Sequence, residues 1–150
     1  MSWQRLKVAM YSDGACPSHG FFFFFLTMTT IYHELLPESY LIILAPARDG
    51  ELELALEHQL KCAERSGKSA VWVDCGMLHS LSAEAARLLW GLHHHLREQR
   101  AELVLVHVPE PVKTVLLNQE AGPAPCIVPT LLDAARQARW RQWRFQQHLA

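Results

Sequence analysis

The sequence has no pair of cysteines close enough together to hold a metal. Cys16, Cys62, Cys75 and Cys126 are scattered through 150 residues, with neither a CxxC nor a zinc-finger spacing. The expectation is four idle or buried thiols in a reducing compartment, and no metal site. It also has no excess of charge. Fourteen Lys and Arg stand against fifteen Asp and Glu, for a net −1, so no global field draws nucleic acid or an anionic membrane. No apolar run approaches the ~20 residues that span a bilayer. No GxGxxG or P-loop sequence follows a strand-like run, which removes the usual nucleotide-binding signatures.

Catalytic spacing is missing as well. There is no HxxxH among nine histidines. His93, His94 and His95 are consecutive, so on a helix they point about 100° apart and no two share a face; they read as a partly solvated face. His107 reads as part of a strand and His79 as part of a turn, both unpaired in sequence. Ser, His and Asp occur without a nucleophile elbow to join them. Asp74 is a lone acid, without the acidic cluster of a phospho-receiver site. The chain is therefore expected not to be an enzyme and to use no cofactor.

What is present is a single-domain composition, half hydrophobic and about a fifth charged. Residues 1–27 stand apart from the rest. They show no period and end in "FFFFFL", too short for a signal-peptide core. A strand there would expose half of its Phe side chains. The expectation is a mis-annotated extension translated from thymine-rich upstream DNA, with Met28 the true start. A short hydrophobic anchor is the competing reading.

From Met28 the pattern is regular. "TTIYHELL" and "SYLIILAP", separated by "PES", predict a hairpin. A helix follows, with Leu52, Ala55, Leu56, Gln59, Leu60 and Ala63 on one face, acids at its start and Gly67 at its end. "AVWVDC" predicts a buried strand. The next helix carries an apolar stripe of Ala85, Leu88, Leu89, Leu92 and Leu96. "ELVLVHV" predicts a strand. "EPVKTVLLNQEAG" predicts a helix with Pro111 in its first turn and Gly122 just past its end. "CIVP" predicts a last strand, and Thr130 with Asp133 a capping box for the final helix. The order β-β-α-β-α-β-α-β-α implies a mixed, mostly parallel sheet.

The run "VWVDCGMLHSLSAEAARLLWGLHHHLREQRAELVLVHVPEPVKTVLL" resembles the STAS family, the sulfate-transporter and anti-sigma-factor-antagonist domains. It has the same succession of strand, aspartate, small turn, helix, "elvl" strand and "p.v...l" helix. The resemblance covers residues 28–135 and is best over 69–132. It implies a STAS-like α/β fold with a four- to five-stranded sheet and about four helices. Antagonists of the family carry Asp-Ser-Ser/Thr-Gly at the helix start, and a kinase phosphorylates the first Ser. Counted without a gap from Asp74, Leu78 and Leu81 fall on the motif's apolar positions. Ser82 then replaces the motif's Asp, Ala83 replaces the phosphoacceptor, and Ala85 replaces the Gly. The acceptor hydroxyl is lost in this register.

The resemblance implies a non-catalytic, cytoplasmic regulatory module that binds protein. The implied partner is an anti-sigma factor or serine kinase of the ATP-binding switch type. The contact face would be Met77, His79, Ser80, Ser82, Glu84 and Arg87. Ser82 suits an N-cap. Ser80 and Ser82 are the places for a displaced phosphosite, since a helix N-terminus favours phosphate, and Glu84 supplies a fixed negative charge there. Two alternatives stand beside this reading. One is a STAS subunit supporting the ATPase of a lipid-transport ABC complex. The other is a basic-tailed adaptor for a membrane surface or nucleic acid. Weak self-association is a further expectation.

The alternative with a basic tail comes from residues 136–150, a helical extension. Here Arg136, Arg139, Arg141 and Arg144 interleave with Trp140, Trp143 and Phe145, and there is no acid. The favoured expectation is a last helix that lays Leu131, Leu132, Ala135, Ala138 and a Trp on the sheet, with Arg in water. Four charges are few for lipid or nucleic-acid binding. A protein-docking surface anchored by Trp and Arg is a third reading.

Overall fold

The computed structural model describes residues 31–46, 50–119 and 122–148. The expected extension over residues 1–27 and the start at Met28 lie outside the described residues. Two strands open the fold: β1 (Ile31–Leu35) and β2 (Ser39–Leu44). They pair antiparallel, with Leu36 N–H donating to the Ser39 carbonyl across the turn at 2.9 Å. There follow α1 (Glu51–Arg65), β3 (Ala70–Asp74), α2 (Ala83–Glu98), β4 (Glu102–Val106), α3 (Glu110–Leu117), β5 (Cys126–Val128) and α4 (Leu131–His148). The five strands lie in the order β1-β2-β3-β4-β5, and β2 to β5 pair in parallel. This is the mixed, mostly parallel sheet with four helices that the element order implies.

Strand alternation builds two cores from one sheet. On one face Tyr40, Ile42, Leu44, Val71, Val73, Leu103 and Leu105 meet the apolar sides of α1, α2 and α3. On the other, Leu41, Ala70, Trp72, Val104 and Val106 meet Ala134, with Leu131, Ala135 and Ala138 of α4 beside it. Successive strand residues point to opposite faces. A parallel sheet covered on both faces therefore reads as unbroken apolar runs, such as "LVLV".

Helix α1 buries Leu52, Leu56, Leu60 and Ala63 and has Glu51 and Glu53 in its first turn, as its spacing predicts. In α2 the buried face is wider than the predicted stripe. Ala85, Leu89, Leu92 and Leu96 are buried, but so are Ala86, Trp90 and His93, while Leu88 is only partly buried. The reason is position: α2 packs against α1, α3 and β4. Trp90 donates its indole N–H to the Leu116 carbonyl of α3 at 2.8 Å.

Other expectations are corrected. His93 is buried rather than on a solvated face, with Nε2 2.9 Å from the Pro123 carbonyl. His94 is half-buried and His95 is exposed, 2.7 Å from Glu64. Consecutive helical residues thus meet three environments. His107 lies outside the strand. The ladders end at Asp74↔Val106 and Val106↔Val128, so nothing holds residue 107 extended, and it turns to φ 51. Helix α3 ends at Leu117, well before Gly122. On α4, Leu132 is 60 % exposed and both Trp140 and Trp143 point outward; the buried side belongs to Ala134.

Candidate functional site

The turn between β3 and α2 is pinned from below and open above. Cys75 N–H donates to the Val106 carbonyl at 2.9 Å, and Leu78 N–H donates to the Cys75 carbonyl at 3.0 Å. The side chains of Cys75, Leu78 and Leu81 enter the core. Met77, His79 and Ser80, which alternate with these anchors, are left exposed. Burial, with the Asp74 charge as a smaller cause, pushes the Cys75 thiol up to about 12. Cys75 is therefore a packing residue and not a nucleophile.

Beside the turn, Asp74 does two jobs. Its Oδ1 accepts the Gly76 N–H at 2.9 Å, and both carboxylate oxygens lie 3.2 Å from His107 Nδ1. A Cβ on Gly76 would stand 3.0 Å from the His107 Cβ and 3.1 Å from Asp74 Oδ1. Only glycine fits there without a shift. This pair was not read from the sequence. The signal was available: the Asp ends one strand, and the His follows the end of the strand beside it. A shallow depression of about 300 Å³ continues from His107 past Glu110, Lys113 and Pro129.

Helix α2 begins at the other end of the turn. Ser82 is its N-cap, with extended backbone (φ −71, ψ 155), and its Oγ accepts the Ala85 N–H at 3.0 Å. The same hydroxyl donates to Glu53 Oε1 of α1 at 2.6 Å. This hydroxyl thus donates one hydrogen bond and accepts another. The second carboxylate oxygen of Glu53 is buried with no hydrogen-bond partner among the described residues. Ala83 and Glu84 form the exposed first turn, and Arg87 lies 3.7 Å from Glu84. Met77, His79, Ser80, Ser82, Glu84 and Arg87 all lie on the turn or the first turns of α2, and each is exposed.

Further along the chain, Glu102 at the start of β4 pairs with Arg141 of α4. Burial raises the Glu102 carboxyl above its usual range, against the smaller opposing effect of Arg141. Among the described residues no group of three or more His, Cys, Asp or Glu is placed to hold a metal ion. No described helix is long and apolar enough to cross a membrane.

No family model matches the chain, and no curated protein matches it in sequence. Solved structures do resemble it. An anti-sigma factor antagonist from Mycobacterium paratuberculosis superposes with a TM-score of 0.64 at 16 % identity, over 73 % of this chain and 93 % of that one. The anti-sigma factor antagonist SpoIIAA in its unphosphorylated form gives 0.62 at 15 %, over 73 % and 96 %. A variant of RsbS from Moorella thermoacetica gives 0.62 at 11 %, over 73 % and 97 %. The fold is STAS-like, shared with anti-sigma factor antagonists nearly from end to end of those chains.

Proposed function

We propose that this chain is a non-catalytic regulatory module that binds a protein partner through the turn before α2. The binding face is Met77, His79, Ser80, Glu84 and Arg87, with Ser82 at its edge. The partner is an anti-sigma factor or serine kinase of the ATP-binding switch type. The usual phosphorylation switch is lost. Support for the partner class comes from the fold shared with anti-sigma factor antagonists.

One observation carries the reading of the switch. At the position of the family's acceptor stands Ala83, with no hydroxyl. The neighbouring Ser82 hydroxyl is held between the Ala85 N–H and the Glu53 carboxylate. A phosphate on Ser82 would break the cap and set two or so negative charges against Glu53, which like-charge repulsion opposes. Glu84 meanwhile puts a permanent negative charge on the first turn.

The test is calorimetric titration with an ATP-binding anti-sigma factor from the same genome. The parent chain binds, and Met77→Ala with Arg87→Glu weakens binding at least tenfold while the melting curve is kept. Binding unaffected by both changes places the contact elsewhere and overturns the reading.

A further inference from the structure

Helix α4 has two unlike sides. Ala134, Ala138 and Arg141 share one side. Ala134 is buried, Ala138 packs beside it, and Arg141 reaches Glu102. On the opposite side, at helical spacing, stand Leu132, Arg136, Arg139, Trp140 and Trp143. Leu132 is 60 %, Trp140 63 % and Trp143 52 % exposed. Three of the large exposed hydrophobic side chains thus form one ladder about 16 Å long, at 1.5 Å per residue. Arg136, Arg139 and the two Trp line a single groove. It lies on the sheet face away from α1 and α2, so it is a surface separate from the turn.

We infer that this stripe docks an acidic amphipathic segment of a partner protein. The ladder supplies apolar anchors of the kind that dominate protein interfaces, Trp above all. Beyond Asp133 the charge that flanks it has one sign: residues 134–150 contain four Arg and no Asp or Glu. Acidic side chains between apolar ones complement that pattern and reject basic competitors. The stripe is poorly built for lipid. Arg136 already lies 3.9 Å from Asp133 and Arg141 pairs with Glu102, which leaves Arg139 and Arg144, whereas polybasic membrane segments use about 4–8. It is equally poor for single-stranded nucleic acid, which stacks bases on open ring faces. Trp140 and Trp143 meet edge to face at 6.0 Å and 88°, so one ring covers a face of the other.

The experiment uses the full chain and four probes. These are a labelled helical peptide with Leu at every third or fourth position and Glu between, its Lys-for-Glu counterpart, phosphatidylglycerol vesicles, and an oligo-dT strand. Fluorescence anisotropy and co-sedimentation read the binding. The Glu peptide binds, and Trp140→Ala or Arg139→Glu weakens it at least tenfold. Both sites are exposed, so the melting curve stays where it was, and that melt is measured alongside. Failure of the Glu peptide to bind, or equal binding of the Lys peptide, overturns the inference. So does preferential binding of vesicles or oligo-dT that is lost in Trp140→Ala.

Discussion

Asp74, the last residue of β3, holds His107, the first residue beyond β4, with both carboxylate oxygens 3.2 Å from its Nδ1. The contact fastens two neighbouring strand ends beneath the turn before α2. His107 lies at φ 51, a conformation that disfavours a side chain by about 1–2 kcal/mol. Two changes at this position separate the contact from the strain. His107→Ala loses the contact and keeps the strain; His107→Gly loses both. The glycine variant should therefore be the more stable of the two by about 1 kcal/mol in urea melts. Equal midpoints would show that the backbone leaves the left-handed region once the contact is gone.

Packing of α2 gives a graded expectation. Leu92 is buried between sheet and helices, and Leu92→Ala should cost about 2–5 kcal/mol. Leu88 is only partly buried, so Leu88→Ala should cost less than half as much. Equilibrium denaturation compares them, and equal losses would mean that the helix is rotated.

His93 predicts a pH dependence. Its Nε2–H donates to the Pro123 carbonyl, which leaves Nδ1 buried and without a hydrogen-bond partner among the described residues. Burial holds its pKa below the ordinary 6.5, against a smaller upward effect of the Pro123 bond. His33 is lowered as well, by burial and by His58. The unfolded chain then takes up protons first. Stability should fall as pH drops below about 6.5, until the depressed native value is passed. His93→Gln keeps the donor and cannot titrate, so its stability should change less between pH 7 and 5. Identical slopes in thermal melts would exclude His93 as a source.

The anchoring of α4 rests partly on charge. Arg141→Ala leaves the largely buried Glu102 carboxylate without its cation, and should destabilise the fold by about 1–2 kcal/mol at pH 7. Burial alone then acts on Glu102, so its pKa rises further. Adding Glu102→Gln should recover most of the loss. A double variant as unstable as the single one would assign the effect to lost packing of the Arg stem.

The sheet was legible in the sequence because both its faces are covered: β2, β3 and β4 are largely apolar runs, and each helix announces its start. The turn was legible through the resemblance and through Ser82. What was not legible depends on packing in three dimensions. A single stripe cannot show that α2 is buried on more than one side, so Trp90 and His93 were missed. The Asp74–His107 pair forms across 33 residues of sequence, through strand register. Leu132 and one Trp were expected on the sheet. Small residues, Ala134 and Ala138, fill that side instead and let α4 lie close, which turns the large ones outward.

The proposed loss of the switch is tested most directly by phosphopeptide mapping of the parent chain and an Ala83→Ser variant, each incubated with an ATP-binding anti-sigma factor kinase from the same genome and ATP. The parent should carry no phosphate on Ser80 or Ser82, while the variant gains one at position 83. Stoichiometric phosphate on Ser80 or Ser82 of the parent would contradict the account, since the switch would then be displaced and not lost.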